Sequence, residues 1–208
     1  SKAVNSEMAE QGMDTAIEQL FDDKAGLLRL LWPPFDKWDK DVGYIQGYLP
    51  GVRANGGQYS HGAIWGLCAL CELGRSEEAV EIFSAINPAE KATDAGKLAA
   101  YRGEPYVFPA DIYSVNGNAG RSGWTWYTGS AGWAIRFALE WLLGIKIVDG
   151  KPEVDPCIPE TWPGYTAEIE TSAGKWIVDV YKDANGSIAA DISSRKQQDR
   201  HNEAVAIK

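Results

Sequence analysis

The sequence carries too little positive charge for a nucleic-acid-binding protein. Its 208 residues include 20 lysines and arginines against 29 aspartates and glutamates, so the formal net charge is −9. Because nucleic-acid backbones are bound by clustered Lys and Arg, this balance argues against such a partner. Long apolar runs are also missing, and residues 1–10 lack the charged-then-apolar layout of a signal peptide. We therefore expect no membrane contact from this segment.

Cysteine is scarce, and the three residues present cannot all pair with one another. Cys68 and Cys71 form a C-x-x-C motif, but the motif lies within an apolar helical pattern and no second ligand pair follows it. Buried structural thiols therefore explain these residues better than a zinc or redox site, and we expect no metal. A reducing, cytoplasmic compartment fits this cysteine usage best.

What is present is the composition of an ordinary folded protein. Hydrophobic residues make up 45% of the chain and charged residues 24%, without internal repeats or low-complexity segments. The length suits one large domain, or one domain with a small appendage.

Hydrophobic periodicity changes from helical to alternating near residue 145. Before that point, apolar spacing predicts a mainly α segment with helices over residues 8–20, 60–73 (capped by Ser60), 77–86 and 130–143. After it, alternation predicts antiparallel strands over residues 145–148, 153–155, 165–171, 175–181 and 187–192, with a frayed tail from residue 193. Residues 36–58 form a long glycine-punctuated loop, and a loop of that length in a compact domain is more often functional than idle.

The stretch from Gly120 to Trp133 contains three tryptophans, one tyrosine and four glycines, and it leads into a predicted helix. Glycine lets the backbone approach a ligand closely, and tryptophan offers flat apolar faces of the kind that sugar rings stack on. The first turn of the helix, at residues 128–130, is a place where an anion could bind. Together these features suggest a phosphorylated or phosphorolysed sugar. The alternative is an aromatic-rich core turn capped by Ser130.

Five motifs in a fixed order carry a family resemblance. They are Gly43–Arg53 (Gly-Tyr-Ile-Gln-Gly-Tyr-Leu-Pro-Gly-Val-Arg), Asn55–His61 (Asn-Gly-Gly-Gln-Tyr-Ser-His), Glu104–Tyr106, Gly123–Trp133 and Asp155–Pro159. With them the chain resembles the inverting glycoside phosphorylases of glycoside hydrolase family 94, which include cellobiose and chitobiose phosphorylases. The Gln-Tyr-Ser-His sequence and the preceding Pro-Pro-Phe-Asp look closer to the phosphorylase-like part of cyclic β-1,2-glucan synthases and to β-1,2-oligoglucan phosphorylases.

The resemblance implies an (α/α)6 barrel followed by a small β domain, within a much longer polypeptide. Residues 1–144 would be the C-terminal part of the catalytic barrel, and residues 145–208 a C-terminal β domain. A few helices cannot close a six-pair barrel, so an isolated fragment would expose apolar helix faces. The missing N-terminal part would come from the same polypeptide or from another chain.

The resemblance also implies a reaction, in which a glycosyl unit is transferred to inorganic phosphate with inversion to give a sugar 1-phosphate. His61 matches the family's phosphate-binding histidine, and Thr128 and Gly129 match its Thr-Gly pair. No cofactor is implied beyond phosphate as co-substrate. The family's general-acid aspartate lies upstream of every motif present, so no catalytic residue is assigned here and the chain alone is expected to be inactive. Neither Glu104 nor Asp111 matches the general-acid motif.

Tyr48 and Arg53 match positions near the sugar, which would be a β-linked glucose disaccharide or oligosaccharide. Trp124 and Trp126 could stack on the sugar, and Gln58 and Tyr59 are further candidates for contact with it. Loop stabilisation is an alternative for Tyr48 and Arg53, and barrel packing for the tryptophans.

Family members commonly carry Glu where this chain has Ala54, which places the sugar contacts in question. A non-catalytic glucan-binding module is therefore an alternative to the phosphorylase. An inverting hydrolase on the same barrel is another, although water needs no anion-binding residues such as His61 and Thr128.

Overall fold

The computed structural model describes residues 3–36, 41–126 and 128–195, without the side chains of Thr128 and Arg195. Its helices are α1 (Ser6–Leu20), a 3-10 turn (Gly43–Gly47), α2 (Ser60–Glu72), α3 (Ser76–Ile86), α4 (Pro88–Lys91), α5 (Ala95–Tyr101), α6 (Thr128–Arg136) and a π-helical turn (Phe137–Leu142). Its strands are β1 (Phe21–Asp22), β2 (Leu27–Leu28), β3 (Gln58–Tyr59), β4 (Asp111–Ile112), β5 (Ile145–Val148), β6 (Lys151–Val154), β7 (Gly164–Thr171), β8 (Gly174–Lys182) and β9 (Ile188–Arg195). The chain divides into two compact units, residues 1–138 and 139–208.

The predicted change from helices to antiparallel strands is confirmed, but two local predictions were wrong and two short helices were not predicted. Ser60 does not cap α2: Tyr59 occupies that position, and Ser60 is the first helical residue. The short helices α4 and α5 fall in a region without clear periodicity. Strand β9 extends through residues 193–195, which were predicted to fray, because its whole length pairs with β8. The rest of that tail, residues 196–208, lies outside the described part of the chain.

The helical unit is organised around the α2–α3 hairpin. Helix α2 ends in a left-handed glycine, Gly74 (φ 73°), and the N–H of Arg75 donates to the carbonyl of Leu70 at 2.9 Å. This closing motif turns the chain sharply and lets α3 return against α2. The residues on the facing sides are buried: Ala63, Ile64, Leu67 and Leu70 from α2, and Ala79, Ile82 and Ile86 from α3. None of the helices among the described residues has both the length and the apolar character to cross a bilayer.

The second unit is a hairpin followed by a three-stranded meander. Strands β5 and β6 are joined at Asp149 and Gly150, which both have positive φ (50° and 78°), as a tight hairpin turn requires. Strands β7, β8 and β9 pair antiparallel in chain order. Their alternating pattern places Val178 and Val180 on one face, where they pack with Ile158 in a small core.

The long loop before α2 is held by one buried side chain, Asn55, which has no exposed surface. Its Oδ1 accepts from the N–H of Phe35 at 2.7 Å, and its Nδ2 donates to the carbonyls of Phe35 and Tyr48, both at 2.8 Å. Because three backbone groups depend on this amide, the side chain fixes the path of the loop.

We expect Asn55→Ala to open the loop locally. The change leaves three backbone groups without their partner, which should cost about 3 kcal/mol and raise exchange rates about 100-fold. Hydrogen–deuterium exchange over residues 30–57 of the complete protein measures this. Asn118→Ala, in an exposed turn, is the control. Equal protection in both variants would contradict this role of Asn55.

Candidate functional site

A small backbone network brings distant parts of the sequence together at the start of α2. Strand β3 pairs antiparallel with β4, which places Tyr59 opposite Asp111. Residues 110–113 pair in turn with residues 121–124 through backbone hydrogen bonds of 2.6 to 2.8 Å. Residues 121–124 lead directly into α6, which packs against α2. The N-terminal ends of both helices are therefore tied to the same network.

His61 lies in the first turn of α2 within a cluster of aromatic rings. Its imidazole stacks on Tyr59 at 6.2 Å between centroids, and meets Trp65 edge-on at 4.8 Å. Trp133, from α6, lies 5.7 Å away on another side. Three rings around one imidazole restrict its rotation, so the direction in which its nitrogens point is fixed by packing.

The imidazole of His61 faces the first turn of α6. Its Nδ1 lies 3.9 Å from the position that a Cβ would take at Gly129. Its Nε2 is buried and has no hydrogen-bond partner among the described residues. The first N–H groups of a helix have no acceptor within the helix, and they lie at the positive end of its dipole. The Nδ1 of His61 and the first turn of α6 thus lie next to each other.

The structure places the other two predicted residues of this turn less completely. Thr128 is the first residue of α6, but its side chain lies outside the described part, as does Tyr127 before it. Ser130 is buried, and its hydroxyl donates to the carbonyl of Pro109 at 3.3 Å. That hydroxyl anchors the turn to the segment just before β4, whereas Gly129 is exposed.

Three of the predicted sugar-binding residues lie together. The guanidinium carbon of Arg53 sits 3.3 Å from the centre of the Trp124 ring and 5.7 Å from that of Tyr48. Arg53 has a left-handed backbone (φ 49°). Such a conformation is uncommon for a residue other than glycine. Arg53 therefore covers one face of the Trp124 ring, although the residue remains 54% exposed.

Tyr48 and Arg53 line a cavity of about 290 Å³, whereas Trp124 contacts Arg53 without lining the cavity itself. Its lining residues are Leu30, Tyr44, Tyr48, Arg53, Ala54, Tyr59, Ala110 and Asp111. Tyr59, which lines the cavity, also stacks on His61, so the cavity wall and the aromatic cluster share this residue. Ala54 contributes only a methyl group as its side chain.

Asp111 is the lining residue that sequence reasoning missed. The side chain is buried, and its Oδ1 accepts the N–H of Trp124 at 2.9 Å while its Oδ2 has no partner among the described residues. Burial raises the pKa of this carboxyl group, against the opposing effects of the Trp124 hydrogen bond and the nearby Arg53. The one signal in the sequence was a lone acid within an apolar run, Val107 to Tyr113.

Two predicted residues lie apart from the cavity wall. Gln58 is fully buried and its amide is engaged in both directions: Oε1 accepts from the N–H of Leu28, and Nε2 donates to Ser60, both at 2.9 Å. Trp126 is exposed, with its Nε1 donating to Glu104 at 3.2 Å. A direct sugar contact for either residue stays a prediction. Among the described residues, no group of three or more His, Cys, Asp or Glu side chains could hold a metal ion.

Comparison with known proteins identifies relatives of this chain. The model of the glycosyl hydrolase 94 superfamily catalytic domain matches residues 1–144. The chain is 39% identical over 198 residues to the cyclic β-(1,2)-glucan synthase NdvB of Rhizobium meliloti, covering 95% of this chain and 7% of that protein. It is 33% identical to the N,N'-diacetylchitobiose phosphorylase of Vibrio proteolyticus, over 79% of this chain and 20% of that protein. It is 32% identical to the solabiose phosphorylase of Paenibacillus borealis, over 71% of this chain and 19% of that protein. The chain thus spans at most about a fifth of the length of these relatives.

We expect Gly123→Ala to disturb the site through Asp111. A Cβ at this position would lie 2.3 to 2.5 Å from the carboxylate atoms of Asp111, so one of the two must shift. Overpacking of this kind costs about 1–3 kcal/mol, which thermal unfolding of the complete protein measures. Gly132→Ala is the matched control, because its Cβ would meet nothing within 4 Å. Equal stability in the two variants would show that Asp111 is not confined as described.

Proposed function

Because the chain belongs to the glycosyl hydrolase 94 superfamily, we propose that it is part of an enzyme that cleaves β-glucosidic bonds with inorganic phosphate. The observation that carries the proposal is the approach of the His61 Nδ1 to Gly129 in the first turn of α6. Several relatives are named as phosphorylases, which supports a phosphorolytic reaction in this family.

In the proposed site, phosphate binds between His61 and the first turn of α6. The imidazole donates to one phosphate oxygen, while the hydroxyl of Thr128 and the N–H of Gly129 donate to others. The positive end of the α6 dipole favours the anion further. Donors that are fixed before the ligand arrives need little rearrangement, so the arrangement orients phosphate as a nucleophile.

The sugar is proposed to occupy the neighbouring cavity. Tyr48 and Arg53 form one wall, Trp124 holds Arg53 in place, Gln58 supports the wall from within, and Trp126 extends the aromatic surface at the rim. Phosphate then attacks the anomeric carbon from the face opposite the leaving oxygen. A carboxylic acid protonates that oxygen, so inversion gives an α-sugar 1-phosphate and a shortened saccharide.

The general acid is proposed to lie in the N-terminal part of the enzyme, outside residues 1–208. The same part would supply the remaining helices of an (α/α)6 barrel, of which residues 1–144 form the C-terminal portion. Two apolar side chains support this: Trp65 on α2 is 54% exposed and Ile135 on α6 is 62% exposed. Faces of this kind are covered in a closed barrel.

The choice of substrate is proposed from the NdvB similarity, which favours β-(1,2)-linked glucose oligosaccharides. The test is incubation of the complete protein with such oligosaccharides and inorganic phosphate, with the products identified by proton NMR. We expect α-glucose 1-phosphate, formed only when phosphate is present. Free glucose formed without phosphate would indicate a hydrolase. Binding without any product would indicate the glucan-binding module that the small Ala54 side chain favours.

We expect His61→Ala to weaken the use of phosphate far more than the use of sugar. Loss of a charge-assisted hydrogen bond of about 1.5–3 kcal/mol should raise the KM for phosphate by about 10- to 150-fold. Initial rates of the complete enzyme at varied phosphate and at varied oligosaccharide separate the two effects. Thr128→Val should act in the same direction and more mildly, since the backbone N–H groups remain. An unchanged phosphate KM in His61→Ala would refute the assignment.

We expect Gly129→Ala to interfere with phosphate by filling the space in front of the imidazole. The new Cβ would lie in ordinary contact with Nδ1, at 3.9 Å, so the helix should form normally. Blocking one hydrogen bond should raise the phosphate KM about tenfold or more. Gly132→Ala in the same helix controls for the change in helix propensity. If both variants use phosphate equally well, the anion binds elsewhere.

A further inference from the structure

We propose that the Asp111 carboxylate binds a hydroxyl group of the glucosyl unit, acting with Arg53 as an acceptor–donor pair on one wall of the cavity. The proposal rests on the phosphorylase function above, which names the ligand class, but it concerns a residue that no motif assigned. It follows from the positions of two buried polar atoms that the protein itself leaves without partners.

The first of these atoms is the Oδ2 of Asp111. The side chain cannot easily turn to find another partner, because four constraints hold it. Its Oδ1 is bound by the N–H of Trp124, its backbone carbonyl by the N–H of Gly123, and its strand is paired with Tyr59. The carboxylate also lies so close to Gly123 that a Cβ at that position would collide with it. The unpaired oxygen thus has a fixed position, and Asp111 lines the cavity.

The second atom is the Nη2 of Arg53, which is likewise buried and without a partner among the described residues. The guanidinium plane is held over Trp124, so this donor is oriented as well. Arg53 attracts the Asp111 charge, but the two unpaired atoms do not bond to each other. Two residues that line the cavity thus hold one buried acceptor and one buried donor without partners, and in the proposed complex the ligand satisfies both.

Sugar hydroxyls suit this arrangement better than other polar ligands do. A hydroxyl both donates and accepts, so neighbouring hydroxyls of one ring can satisfy a carboxylate and a guanidinium at once. The tyrosines in the wall, among them Tyr48 and Tyr59, offer apolar ring faces to the carbon atoms between those hydroxyls. A second anion would be repelled by Asp111, whereas the phosphate site beside His61 lies beyond Tyr59.

The Asp111→Asn variant distinguishes a binding role from a merely structural one. The N–H of Trp124 needs an oxygen, so the amide should keep its oxygen there and turn its NH₂ group into the cavity. The substitution then keeps the shape and the anchoring bond but replaces the acceptor by a donor. Asp149→Asn, in an exposed hairpin turn, is the matched change of charge away from the cavity.

The measurement is the calorimetric affinity of the complete protein for a β-(1,2)-linked glucose oligosaccharide without phosphate, together with the phosphate KM. We expect Asp111→Asn to weaken oligosaccharide binding at least tenfold, because the amide NH₂ group cannot accept a hydrogen bond from the sugar hydroxyl. The phosphate KM should stay within about twofold, and Asp149→Asn should behave as the unmodified protein. Unchanged oligosaccharide affinity in Asp111→Asn would overturn the proposal. So would a parallel loss of thermal stability, oligosaccharide affinity and phosphate use.

Ala54→Leu tests the cavity independently of the backbone network around Asp111. The larger side chain should fill the space beside the carboxylate and weaken oligosaccharide binding, with phosphate use retained. Intact oligosaccharide affinity in this variant would overturn the proposal even if Asp111→Asn failed to fold. Because binding is measured without phosphate, a failure of the phosphorylase assignment would appear separately, as a reaction independent of phosphate.

Discussion

The pairing of β3 with β4 is the constraint on which the candidate site depends. Strand β3 ends where α2 begins, so its position fixes the direction in which His61 enters the helix. Strand β4 pairs with the segment that leads into α6, so the same contact fixes Gly129 relative to His61. The pairing is only two residues long on each strand, but the N–H of Ser60 extends it by donating to the carbonyl of Ala110 at 2.9 Å.

The proposed division into a phosphate side and a sugar side follows from Tyr59. This residue sits between the two parts, with its ring stacked on His61 and its side chain on the cavity wall. The phosphate side is built from helix ends, whose N–H groups are suited to anions. The sugar side is built from loop residues and one buried strand, which supply isolated polar atoms among aromatic rings. Each ligand would therefore meet the kind of surface that its chemistry requires.

The sequence predicted those features that local patterns encode. Periodicity located the α2–α3 hairpin and the strands after residue 145, and the order of the motifs in the sequence indicated the family. Asp111 was missed because its role arises from partners at positions 59, 123 and 124, which no local pattern connects. Gln58 matched a motif equally well, yet its amide is engaged by Leu28 and Ser60. A motif identifies a position, whereas the tertiary partners decide what its side chain can contact.

The central claim is that phosphate and sugar bind at adjacent places, on either side of Tyr59. A crystal structure of the complete protein with phosphate and a β-(1,2)-linked glucose disaccharide tests it most directly. The account predicts a phosphate oxygen within about 2.7–3.2 Å of the His61 Nδ1 and of an N–H in the first turn of α6. It also predicts a sugar hydroxyl at a similar distance from the Asp111 Oδ2. Phosphate bound away from α6, or a sugar outside the cavity, would contradict it.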